Sequence, residues 1–205
     1  YHIGEGAVIE DVGTVEARPG AKFGNGMEIE VLNEGGGREV ILFDALSSQF
    51  AYLLCLHRYR PRLIARLRSL AENAARAAHG SHGRIGRGAT VRSVTELIDV
   101  QVGPAAVVCG ATSLVNGSIL SCPEAPALVG PGVQAESFII AEGARVSGGA
   151  MLAKTYVGQA TQVGRQFSAE STLLFANCEA FHGEACSVFG GPYTVTHHKS
   201  TLLIA

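Results

Sequence analysis

From Ile85 onward the chain sets an aliphatic or small residue at about every sixth position: Ile85, Val91 and Leu97, then Val102, Val108 and Leu114. The beat returns at Ile140, Val146 and Leu152, at Val157, Val163 and Ala169, and at Leu174, Ala180 and Cys186. The triplets restart 17 residues apart, from 85 to 102 and from 140 to 157 to 174, so each block counts six, six and five. Self-similarity at a short fixed period marks a stacked-repeat fold, in which one unit cannot bury its own apolar face and must lie on its neighbours. The pattern predicts coils of three short strands joined by tight corners, with the lead aliphatic residues, Cys186 among them, pointing inward. Gly follows several leads, as in Ile85-Gly86, Val102-Gly103 and Val157-Gly158, and suits corners whose backbone angles other residues resist. The N-terminal run Ile3-Gly4-Glu5-Gly6-Ala7 carries the same signature. About five coils are expected after a central interruption and two before it. Residues 119–128, with Pro123 and Pro126, break the beat and read as an inserted loop.

The interruption has a different period. No Gly occurs between Ala45 and His79, and Leu63, Ile64, Leu67, Leu70, Ala71, Ala74, Ala75 and Ala78 recur at helical spacing. Pro61 suits the first turn of a helix. Two helices are expected, near 46–59 and 61–79, ending at Gly80. The chain thus divides into a first solenoid portion with a Gly-rich connection (1–44), a helical insert (45–80) and a main solenoid (81–205).

Composition sharpens this picture. Aromatic residues make up 6% of the chain, Trp is absent and Gly occurs 26 times, which fits a narrow interior of small aliphatic side chains. The net charge of −2 hides an asymmetry. Residues 46–79 carry six Arg (58, 60, 62, 66, 68 and 76) against one acid, Glu72. Ion pairing with the acidic body or a neighbouring subunit explains these arginines better than nucleic acid does, because no aromatic residue beyond Tyr59 interleaves with them. No apolar run is long enough to span a bilayer, and no signal peptide is visible. Five Cys with no C-x-x-C pair argue against a disulfide framework and structural zinc; they read as small core residues of a cytoplasmic protein. The chain starts on Tyr1 and stops in the run Leu202-Leu203-Ile204-Ala205, which reads as a piece of a longer protein.

The pattern Ile85-Gly86-Arg87-Gly88-Ala89-Thr90 and its copies resemble the hexapeptide repeat of left-handed parallel β-helix proteins, over roughly 1–30 and 83–195. The resemblance supplies the handedness, which periodicity does not. It implies a homotrimer and an acyltransferase using acetyl-CoA or acyl carrier protein; other members of the superfamily are γ-class carbonic anhydrases or appendages of nucleotidyltransferases. More narrowly, the stretches Asn33-Glu34-Gly35-Gly36-Gly37-Arg38-Glu39-Val40 and Gly191-Pro192-Tyr193-Thr194-Val195-Thr196-His197-His198-Lys199 resemble a bacterial hexapeptide-repeat family of unassigned transferases.

Two segments could carry chemistry. Acyl transfer needs a general base near neutral pH, and His meets that need. The run Thr194-Val195-Thr196-His197-His198 resembles the Thr-x-Thr-His stretch of sugar O-acetyltransferases, which implies His197 as the base with His198 beside it. The family's usual Pro-aliphatic pair is replaced here by His198-Lys199. Strand neighbours face opposite ways, so at most one His of the pair serves a given site; the alternative is a solvated strand. His182, about one coil earlier, could join them in catalysis or a metal pair, although the spacing of a γ-carbonic anhydrase is absent and no metal is expected. Glu179 or Glu184 could orient a catalytic His. Lys199 could meet a substrate anion.

The second segment is the Gly run. Its free amides, with Asn33, Glu34 and Arg38, could hold a phosphate or carboxylate; the alternative is a plain turn. There is no Lys-Ser/Thr after it, so it is not a P-loop. The functional expectation is acetyl-CoA-dependent acylation of a hydroxyl or amine on a sugar or nucleotide sugar, without membrane or nucleic-acid partners. The rivals are a non-catalytic scaffold and a nucleotide-sugar-binding module of a nucleotidyltransferase.

Overall fold

The computed structural model describes residues 1–205 and is a mainly β, parallel solenoid of about seven coils carrying two helices. Three inward columns run along it. On the first face Ile85, Val102, Ile119, Ile140, Val157 and Leu174 lie in register. On the second, Val91, Val108, Val129, Val146, Val163 and Ala180 do. On the third, Leu97, Leu114, Ala135, Leu152, Ala169 and Ala185 do. All are buried and belong to one cluster of 31 residues. The columns are aliphatic or small throughout, and Phe138 and Phe167 are the aromatic members of the same cluster. The loop at 119–128 appears in the register as a longer coil, Ile119 pairing with Ile140.

The corners rest on left-handed residues. Between the second and third faces these are Gly148 and Gly149, then Arg165 and Gln166, then His182 alone, then His198 and Lys199. The corner at His182 is therefore one residue tighter than its neighbours. Gly183 closes it, where a Cβ would lie 2.4 Å from the Ser200 carbonyl oxygen. That missing residue shifts the register, so Ala185 and not Cys186 takes the inward position. The expectation for the cysteines is corrected in part: Cys55 and Cys178 are buried, whereas Cys109 is exposed and Cys122 and Cys186 are half-buried.

The N-terminal portion makes one coil, not two. Strand Val8–Glu16 pairs with Thr90–Val102, and after it the chain leaves the solenoid. It runs along the edge between the third and first faces. Arg18 N–H donates to Asp99 Oδ1 (2.7 Å), Gly24 N–H to Asn116 Oδ1 (2.9 Å), and Leu32 N–H to the Ser187 carbonyl (2.8 Å). A two-stranded antiparallel ribbon, Glu28–Glu30 with Glu39–Ile41, comes next. It is followed by helix α1 (Ser48–Leu56), capped by the Ser47 hydroxyl, and α2 (Pro61–Ala78), with Pro at its start. The excursion is thus wider than the helical insert expected from composition.

This insert covers the outside of the first face. Ile139, Tyr156 and Leu173 point outward there, yet are at most 1% exposed. They pack with Ile29, Val31, Leu42 and Leu54 of the insert in a second cluster of 18 residues. Two of its arginines serve the insert itself: Arg58 pairs with Glu39 at 3.0 Å and Arg68 with Glu28 at 2.7 Å. No helix is long and apolar enough to cross a membrane.

Candidate functional site

The second and third faces remain open, and His197 lies on the second. Thr196 points inward on its last rung and is 6% exposed, so His197 points outward. Its Nε2 lies 3.0 Å from Glu179 Oε2 on the preceding rung. An ionised carboxylate can only accept, so the proton of this bond sits on Nε2, and in the neutral imidazole the Nδ1 lone pair is then free. Such a pairing fixes the ring and its tautomer and stabilises the imidazolium that forms when Nδ1 takes a proton. Both side chains are about a third exposed, at 35% and 40%, and reach solvent. Phe181 lies directly across the rung gap, its ring 5.0 Å from that of His197. The Arg165 guanidinium sits 5.1 Å from the Phe181 ring. His197, Phe181 and Arg165 therefore form a column with Glu179 alongside.

The other expected residues take different places. His198 and Lys199 form the left-handed corner after His197 and are exposed; the two imidazoles are 6.0 Å apart. His182 occupies the tight corner of the preceding rung, also exposed. No set of three His, Cys, Asp or Glu side chains converges as a metal site would require.

The Gly run is the turn of the antiparallel ribbon and spends its amides on itself. Gly35 N–H donates to Asn33 Oδ1 (3.0 Å), Gly36 N–H to the Asn33 carbonyl (3.1 Å) and Gly37 N–H to Glu39 Oε1. Asn33 and Arg38 are exposed beside it. Burial pushes the Cys186 thiol up, and the nearby Glu34 adds to the effect. The turn therefore lies against Cys186 and Ser187, at the edge of the third face, and the His column lies on the second. The two expected halves of the site are not joined.

Phe181 and Arg165 were not singled out in the sequence. The signal for Phe181 is its position one coil before His197, on the outward side of the same strand column. The signal for Arg165 is its place just after the outward position of the rung above.

Fold and surface together define a parallel β-solenoid with one face sealed by an insert and a half-buried Glu–His pair on another. The chain belongs to the family described as Domain of unknown function (DUF4954), whose model matches residues 1–205. It is 28% identical over 157 residues to an uncharacterized protein of Treponema pallidum (strain Nichols), an alignment covering 71% of this chain and 22% of that protein. The chain thus spans about a fifth of that relative's length. No solved structure matches.

Proposed function

We propose that the chain is a hexapeptide-repeat acyltransferase module in which His197, oriented by Glu179, is the general base. The contact between His197 Nε2 and Glu179 Oε2 carries this reading. In the proposed reaction Nδ1 takes the proton from an acceptor hydroxyl or amine on a sugar or nucleotide sugar. The acceptor atom bonds to the thioester carbonyl carbon of acetyl-CoA. The tetrahedral intermediate collapses, the C–S bond breaks, and the departing thiolate receives the proton from His197. Arg165 offers a cation for a donor phosphate. The open face would be completed by a neighbouring subunit in a homotrimer, a left-handed coil in a cytoplasmic setting.

The test is calorimetric titration with acetyl-CoA, followed by thiol release in the presence of sugar and nucleotide-sugar acceptors. Saturable binding is expected, competed by free coenzyme A. His197→Ala should lower turnover about 10²- to 10⁴-fold, the usual contribution of a positioned base. Glu179→Gln should lower it less and displace the pH profile. Failure to bind acetyl-CoA, or full turnover in His197→Ala, would sink the proposal.

A further inference from the structure

The arginines of the insert find partners only in part. Arg58 and Arg68 pair with Glu39 and Glu28, and Arg60 lies over the Tyr59 ring. Arg62 and Arg66 are exposed and form no ion pair within the chain. Nor do they serve α2 itself. Its first turn holds no acid, so Arg62 sits at the positive end of the helix dipole. Arg62 and Arg66 are also like charges four residues apart, which repel. Leu70, one turn further along the same stripe, is 59% exposed. The buried side of α2, with Ile64, Leu67, Ala71 and Ala75, packs into the insert, so the stripe faces away from it.

The third face has the complementary chemistry. Its outward columns, from Glu96 to Glu184 and from Ile98 to Cys186, contain no Lys or Arg. A groove of about 280 Å³ lies on this face. The small side chain of Ala153 sits there between Glu136 and Glu170, one rung to either side, and Met151, 45% exposed, borders it. Both glutamates are exposed, and neither pairs with Lys154 at the adjoining corner or with any other cation of the chain. Helix α2 belongs to the insert over the first face, so it cannot reach the third face of its own chain.

We propose that a second copy of this chain docks here, the Arg62–Arg66–Leu70 stripe of one copy lying in the Glu136–Glu170 groove of another. The two glutamates stand two rungs apart, about 9.6 Å. The two arginines are separated by about 6 Å along the helix, a difference their long side chains span. Leu70 is then placed to cover Met151. Each copy carries both halves of the contact, and each half lacks a partner in its own chain. The two surfaces differ, so association runs head to tail and closes into a ring where the rotation returns to its start. The contact uses neither His197 nor the second face and does not rest on the acyl-transfer reading.

Light scattering of the intact chain over a range of concentrations tests this. A mass above one chain is expected at about 0.05 M NaCl, falling toward one chain at about 1 M, where charges are screened within about 3 Å. The double reversals Arg62→Glu with Arg66→Glu, and Glu136→Arg with Glu170→Arg, are each checked for native circular dichroism. Each should weaken association at least about tenfold, because like charges then face one another. Mixing the two variants should restore association, since the basic helix of one meets the acidic groove of the other. A wild-type chain that stays monomeric, association unmoved by either reversal, or no recovery on mixing would each overturn the proposal. So would a monomer that binds a poly-glutamate peptide through Arg62 and Arg66, which would assign the stripe to an acidic partner protein.

Discussion

The first and second faces share one backbone plan and carry opposite chemistry on the outside. Inside, Ile140, Val157 and Leu174 line the first as Val146, Val163 and Ala180 line the second. Outside, the first face shows Ile139, Tyr156 and Leu173, all sealed under the insert. The second shows Arg145, Gln162 and Glu179 to solvent or a partner. The inward positions hold the coil together and are nearly interchangeable between faces. The outward positions decide what each face meets.

Removing an outward side chain should therefore have unequal effects on the two faces. Leu173→Ala should cost about 2–5 kcal/mol, because it opens a cavity between solenoid and insert. Gln162→Ala should stay within about 0.5 kcal/mol. Denaturant unfolding of both variants measures the contrast, and equal costs would mean that the insert contributes little to the first face.

The second way to probe the comparison is to disturb what the faces share. Successive coils approach so closely at Gly103 that a Cβ there would lie 2.6 Å from the Ser121 backbone nitrogen. Gly103→Ala should cost about 1–3 kcal/mol, the range for overpacking a rigid site. Thermal unfolding should register it as a loss for the solenoid as a whole.

The insert and the coils should also part company in acid. The Gly37 and Glu39 amides, and then Arg58, hold the Glu39 carboxyl below its ordinary 4.5. A depressed carboxyl stabilises the fold above that ordinary value, and the stabilisation fades as pH falls below it. Amide exchange in Glu28–Glu30 and Glu39–Ile41 should rise below about pH 4.5, ahead of exchange in the second-face strands. Glu39→Gln should remove most of that difference in pH response.

Much of the solenoid could be read in the sequence, because every inward column repeats one chemical choice at a fixed interval. The helices were legible because Gly disappears and the period changes to 3.6. The shifted rung at Ala185 was not, since one residue lost at the His182 corner leaves Cys186, another small apolar residue, on the expected beat. The sealing of the first face left a trace that periodicity alone does not weigh. Ile139-Ile140, Tyr156-Val157 and Leu173-Leu174 are apolar pairs, and paired apolar residues in a strand mark burial on both sides. The pairing of His197 with Glu179 was legible only as one of two choices, since the sequence offered Glu179 or Glu184 as the acid and the structure brings Glu179 to the ring. The self-satisfied Gly turn was not legible, because a run of Gly shows only that its amides are accessible to something.

The hydrogen bond from Leu32 to Ser187 ties one of the first segments of the chain to one of the last rungs. Ser118, which donates to the Phe23 carbonyl, lies 95 positions beyond it. Contacts so distant along the chain close large loops and slow the search for the native state. During synthesis the insert emerges before most of the platform it will cover. It must wait, with Val31, Leu42 and Leu54 unsheltered, until the rungs through Leu173 are in place. Its docking is then a late event in folding, and that interval is when the chain is most open to misassociation.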